Sequence, residues 1–209
     1  MLLTERDEAI ASWIVRFGPV TVPQINRRFD LSRRVGYRRV RTLRELQYLT
    51  RQPGTTRQPG VLLATAQAEH LHAHPSPRRA PHELGIHLAG VDYAIGLELA
   101  GSAVLVEREI DQHPALEDRL PTSPAGPVPA PTYMALTEPL QLVYAPAGGD
   151  RTALLAALAD ARWEDGTGAV LLIDEQLHAE AAHLAGSAVR VQPVDLAVAG
   201  TQDATSPPQ

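Results

Sequence analysis

Ser32-Arg33-Arg34-Val35-Gly36-Tyr37-Arg38-Arg39-Val40-Arg41-Thr42-Leu43-Arg44-Glu45-Leu46-Gln47-Tyr48 is the stretch on which the fold turns. Wound as a helix at about 100° per residue, it sorts into two faces. Gly36, Val40, Leu43 and Gln47 fall in a narrow arc with Leu46 beside them, so this side is expected to pack, and Gly36 permits a close helix crossing. Arg34, Arg38 and Arg41 occupy the other side, flanked by Arg33, Tyr37 and Arg44, and Glu45 is the one interruption of sign. Ser32 caps the helix, and the free amides of its first turn favour anions. Arginine forks to guanine or bridges phosphates, and tyrosine stacks or donates to a phosphate. The pattern therefore predicts a double-stranded DNA contact through Ser32, Arg33, Arg34, Tyr37, Arg38, Arg41 and Arg44, with the helix in the major groove.

Working outward, the neighbours predict a small helical unit with a hairpin. Thr4-Glu5-Arg6-Asp7 caps a helix to about Phe17, with Ile10, Trp13, Ile14 and Phe17 on one apolar face and Gly18-Pro19 as its stop. Val20-Thr21-Val22 reads as a short extended piece, and Pro23 suits the first turn of a second helix to about Phe29. Asp30-Leu31-Ser32 turns into the arginine-rich helix, which is expected to reach about Tyr48. Leu49 to Arg51 and Val61 to Leu63 can pair around a long polar loop, whose Arg57 is placed to reach an adjacent minor groove. A helix from about Thr65 to Ala73 completes a winged helix-turn-helix over residues 1–74.

Three prolines in Pro75-Ser76-Pro77-Arg78-Arg79-Ala80-Pro81 predict a linker over 75–81, and the charge changes sign there. The whole chain of 209 residues carries a formal charge of −5, and all 19 of its basic residues are arginine. Residues 1–79 hold 14 arginines against six acids, a balance of +8, whereas the remainder holds 5 against 18, a balance of −13. Such a division suggests a polyanion-binding module joined to a part with a different task. In that second part the patterning predicts a helix from His82 to about Leu99, a strand from Ala103 to Glu109, and a proline-rich loop from His113 to Pro131. A hairpin of Tyr133 to Leu136 and Leu140 to Tyr144 follows, then a helix capped by Asp150 to about Trp163. A buried strand Ala169 to Ile173, a helix Glu175 to Leu184 and a strand Ala188 to Val191 complete it. The fold class expected is α+β: a winged helix-turn-helix followed by a small α/β mixed-sheet domain over 82–196, with 197–209 a disordered tail in which Gly200 to Gln209 has no apolar anchor.

With no cysteine, the chain can form no disulfide, thiolate nucleophile, iron–sulfur cluster or cysteine zinc site. No run approaches a membrane span, and MLLTERDEAI lacks the plan of a secretion signal, so the expectation is a cytoplasmic protein with no membrane partner. His70 and His74 would share a helical face at a spacing used by zinc sites, but a polar helix end before a proline stretch accounts for them without metal. Glu107, Glu109 and Asp111 would share one face of a strand and read as a solvated edge. Gly148-Gly149-Asp150 lacks the Lys-Ser or Lys-Thr of a P-loop and reads as a turn and helix cap.

Three pieces of the first part resemble the winged-helix domains of the replication-relaxation family of plasmids, integrative elements and phages of Gram-positive bacteria, actinobacteria especially. They are Leu3-Thr4-Glu5-Arg6-Asp7, the run Arg38-Arg39-Val40-Arg41-Thr42-Leu43-Arg44-Glu45-Leu46, and Leu63-Ala64-Thr65-Ala66-Gln67-Ala68-Glu69. The helix His87 to Leu99 is similar to the one that opens that family's C-terminal domain, which implies a restriction-endonuclease-like fold. A nuclease of that fold needs an Asp, a Glu and a Lys to hold Mg²⁺ and activate water. Where the resemblance would put the Asp the chain reads Pro131-Thr132-Tyr133, where it would put the acidic pair it reads Leu140-Gln141-Leu142-Val143-Tyr144, and there is no lysine. The second part is therefore expected to be a degenerate fold without catalysis, cofactor or metal. The functional expectation is a sequence-specific transcriptional regulator whose residues 82–196 dimerise or hold a protein partner. The alternatives are a replication or DNA-transfer accessory protein that recruits an enzyme to an origin, and a metal-dependent nuclease.

Overall fold

In the computed structural model, residues 3–54, 59–113, 116, 119–124, 126–146, 151–163, 166–186, 188–196 and 199–200 are described. The chain is α+β and forms two compact units, one of residues 1–95 with 197–209, the other of residues 96–196. The division falls at Ile95 and Gly96 and not at the proline-rich stretch 75–81, which packs onto the first unit. Ser76 is buried and its amide donates to Glu69, Arg78 pairs with Glu69 at 2.9 Å, and the Pro77 carbonyl lies against Gly18.

The first unit opens with α1 (Glu5–Phe17), held at its start by the expected capping box of Thr4 and Asp7. Ile10, Trp13, Ile14 and Phe17 are all buried, and the Trp13 ring packs on Phe17 and edge-on to Phe29. Next comes α2 (Val22–Arg28), where Thr21 and Gln24 form a second capping box that starts the helix one residue before the expected Pro23. The extended piece before it is short because Val20 pairs with Leu62 in both directions, adding a third backbone segment to the hairpin. The arginine-rich α3 (Arg33–Glu45) is capped by Ser32, and β1 (Leu49–Gln52) pairs antiparallel with β2 (Val61–Ala64). The helix α4 (Ala66–Leu71) follows under a Thr65 cap. Beyond a single 3-10 turn at Pro81–Glu83 lies α5 (Leu84–Leu99), buried at every position from Leu84 to Val91. An all-round apolar helix of this kind belongs in a core.

Three helix ends fall short of or differ from the sequence expectation for one reason. After α2, α3 and α4 the chain turns through a left-handed residue that is not glycine: Asp30, Gln47 and Ala73. Each closes a 6→1 backbone bond, Leu31 to Asn26, Tyr48 to Leu43 and His74 to Glu69. This is the Schellman ending, normally signalled by glycine. Accordingly α3 stops at Glu45 instead of Tyr48, and Gln47 leaves the packed arc for solvent.

The second unit is built on a five-stranded sheet in the order β3 (Ala103–Val106), β6 (Tyr133–Leu136), β7 (Leu140–Tyr144), β8 (Thr167–Asp174), β9 (Val189–Val194). The first three are antiparallel neighbours, whereas β7, β8 and β9 run parallel, so the sheet is mixed as expected. A two-residue pair, β4 (Thr122–Ser123) with β5 (Gly126–Pro127), lies within the expected loop. Between Val106 and β4 stands α6 (Glu107–Ile110), and between β7 and β8 stands α7 (Arg151–Ala159). Leu140, Leu142 and Tyr144 of β7 alternate with the strand pleat and meet Ala169, Leu171 and Ile173 of β8, with Leu154 and Leu158 of α7 in the same core. Val170 and Leu172 are buried on the opposite face, which is why β8 reads as an unbroken apolar run.

Two expectations in this unit are corrected. The strand expected over Ala103 to Glu109 ends at Val106, because the Glu109 carboxylate accepts the Val106 amide and starts α6. Glu107, Glu109 and Asp111 therefore lie on a helical turn and its cap, not on one strand face. The helix expected over Glu175 to Leu184 is broken into a 3-10 turn, a four-residue helix at His178–Ala181 and a second 3-10 turn. The Asp150 cap and the Gly148-Gly149 turn lie outside the described residues.

Candidate nucleic-acid interface

The surface of α3 is decided by what lies beneath it. Gly36, Val40 and Leu43 are buried, and α2 approaches so closely at Gly36 that a Cβ there would stand 2.8 Å from Asn26 Cγ. With that side against α2, the opposite side faces solvent. Ser32, Arg33, Arg34, Tyr37, Arg38, Arg41 and Arg44 are all exposed, Tyr37 by 47%. The structure thus brings seven of the eight sequence-selected residues onto one helix or its cap, and Arg57 lies outside the described residues.

The arginines differ in what holds them. Arg41 donates through Nε to Glu45 at 2.8 Å, both side chains well exposed, and Arg33 lies 5.9 Å from the Tyr37 ring centroid. Arg34, Arg38 and Arg44 have no ion-pair partner among the described residues. Such exposed pairs contribute little to stability, so Arg41 is free to exchange Glu45 for a phosphate or base at small cost.

Arg39, in the same run, has a different role. Its guanidinium donates to Asp7 Oδ1 at 2.7 Å and to the Thr4 hydroxyl at 3.1 Å. Burial pushes the Asp7 carboxyl up, but hydrogen bonds from the Thr4 hydroxyl and Arg39, with the nearby positive charge, more than offset this and hold it below the usual carboxylate value. Arg39 therefore fastens α3 to the start of α1. Arg51 is a further exposed arginine, held on the hairpin by β1 and so outside the helical pattern of α3.

Two further charged or polar positions sit where the first turns of α5 pack within the first unit. His87 is fully enclosed, with Nε2 on the Pro19 carbonyl at 2.9 Å and Nδ1 facing Arg79 Nε at 3.5 Å. Burial, then the Arg79 charge, lower its pKa to about 4, so it stands neutral with the proton on Nε2. Asp92 is raised by burial against the pull of the Gly200 amide, Gln24 and Arg27.

The remaining sequence candidates do not assemble. The helix bearing His70 ends at Leu71, and Ala73 is left-handed, so His70 and His74 do not share a helical face. Thr132 accepts the Ala145 amide through its hydroxyl, and Tyr133 and Val143 are buried partners in the β6–β7 register. Burial pushes the Tyr144 phenol up, which keeps it protonated. Among the described residues no three His, Cys, Asp or Glu side chains converge as a metal site, and no helix is long and apolar enough to cross a membrane. Comparison with known protein families, curated proteins and solved structures found no match for this chain.

Proposed function

We propose that the first unit is a winged helix-turn-helix and that the protein is a sequence-specific double-stranded DNA-binding regulator. In this reading α2 and α3 are the helix-turn-helix pair, α3 enters the major groove, and the β1–β2 hairpin is the wing. The observation that carries it is the one-sided exposure of Arg33, Arg34, Tyr37, Arg38, Arg41 and Arg44 above a buried Gly36-Val40-Leu43 seam. A solvated helix face ordinarily mixes signs, whereas this one has Glu45 alone against five arginines. Arginines held on a rigid helix reach base edges and phosphates without first ordering a loop. The second unit then serves assembly or a protein partner, a role supported by the exposed apolar side chains of Leu99 and Leu136. Resemblance to the replication-relaxation winged helices agrees with this reading on the three stretches that carry it.

The test is selection of bound duplexes by the full chain from a pool with a random central segment, in metal-free buffer. One enriched motif is expected, bound about tenfold or more weakly by Arg38→Ala. A pool with no enriched motif, or equal binding by Arg38→Ala, would refute the proposal.

A further inference from the structure

The end of the described chain returns to the first unit after the second unit is complete. Ala199 is buried, and Gly200 is bonded at both of its backbone groups. Its amide donates to Asp92 Oδ2 at 2.7 Å, and its carbonyl accepts the Thr21 hydroxyl. The slot is shaped for glycine: φ is +76°, and a Cβ would stand 2.8 Å from Thr21 Cγ2 and 3.2 Å from Leu88 Cδ1. Thr21 is the cap of α2, while Leu88 and Asp92 belong to α5. The same two helices are joined by Gln24, whose Oε1 accepts the Thr21 amide and whose Nε2 donates to the Leu88 carbonyl. The disordered tail expected over 197–209 is corrected at Ala199-Gly200, where the buried Ala199 and the backbone bonds of Gly200 to side chains supply an anchor; residues 197–198 and 201–209 lie outside the described residues.

We infer that Ala199-Gly200 is a strap that fastens α5 to the first turn of α2, and that its seating steadies the helix on which α3 rests. The chain leaves the first unit after Ile95 and re-enters it before Ala199, so the second unit is an insertion between α5 and the strap. Since α3 rests on Asn26 of α2 through Gly36, the strap bears on the helix that positions the arginine face. The mechanism is local. Unseating leaves the mostly buried Asp92 carboxylate without the Gly200 amide and the Thr21 hydroxyl without its acceptor, a loss that loosens both helices together.

The inference is independent of DNA and is tested without it. Hydrogen exchange by mass spectrometry is compared for the full chain and its Gly200→Val variant, whose side chain cannot enter the slot. Peptides covering α2 and the first three turns of α5 are expected to exchange roughly tenfold to a hundredfold faster, as for loss of a charge-assisted and a neutral hydrogen bond, with β7 and β8 unchanged. Thr21→Ser, which keeps the hydroxyl, is expected to exchange like the parent. Unchanged α2 and α5 rates in Gly200→Val overturn the inference, as does acceleration spread equally over β7 and β8. Should Gly200→Val fail to fold, Asp92→Ala, which removes the acceptor of the Gly200 amide, replaces it: severalfold faster exchange in the same two helices supports the strap, and parental rates overturn it.

Discussion

Gly36→Ala tests the contact that seats the arginine face. The new methyl would overlap the Asn26 amide, with Cγ at 2.8 Å, and Asn26 is itself only 3% exposed with Oδ1 unpartnered among the described residues. The amide has no solvent to rotate into, so α2 and α3 must separate or strain a rotamer. Alanine gains about 1 kcal/mol over glycine in a helix interior. Overpacking a tight contact costs about 1–3 kcal/mol, and the buried Asn26 amide that the methyl meets places this site toward the upper end, leaving a net loss of about 1–2 kcal/mol. Urea unfolding followed by Trp13 emission in a Trp163→Phe background reads the first unit alone. Adding Asn26→Ala to Gly36→Ala should recover at least half of the loss, a coupling expected only between residues in contact. If Gly36→Ala is as stable as its parent, the crossing is not tight and the exposure of the arginine side has another cause.

Three other perturbations address charge, pH and helix ends. Replacing Arg34, Arg38 and Arg44 together by glutamine should flatten the dependence of log K on log salt by about 1 to 3 units, at roughly 0.9 per phosphate contact, whereas Arg39→Gln should lower stability and leave the slope; an unchanged slope in the triple variant removes α3 from the interface. His87 has a pKa of about 4 in the fold against 6.5 for an ordinary histidine, so the unfolded chain binds the extra proton between those values. Its contribution, about 3 kcal/mol, is therefore present above pH 6.5 and lost as pH falls toward 4. Asp92, raised, works in the opposite sense, so the histidine effect is read as the difference between the parent and His87→Gln, and identical pH profiles would refute it. Finally, Gln47→Gly and Ala73→Gly should each raise stability by about 1 kcal/mol, because glycine takes a left-handed ending without the Cβ clash; melting points equal to the parent's would show that those endings carry no strain.

Local patterns were legible in the amino-acid order wherever one residue type has one physical meaning. Thr4 with Asp7 marks a helix start, Ser32 another, and alternating apolar residues at 140–144 mark a strand whose neighbours need not be known. The two faces of α3 were legible for the same reason, since a 3.6-residue period sorts side chains before any partner is present. Helix ends were less so. Asp30, Gln47 and Ala73 take a conformation that their own side chains disfavour, and the tertiary contacts that reward it are not local. Arg39 could not be told from Arg38 by sequence, because only the approach of α1 gives it Asp7 as a partner. Glu109 turned a strand into a helix by one hydrogen bond to Val106. The placement of α5 and of Ala199-Gly200 in the first unit was decided by tertiary structure alone: composition changes at residue 80, but packing follows contacts among Thr21, Gln24, His87, Leu88, Asp92 and Gly200, which are far apart along the chain and meet only when it is folded.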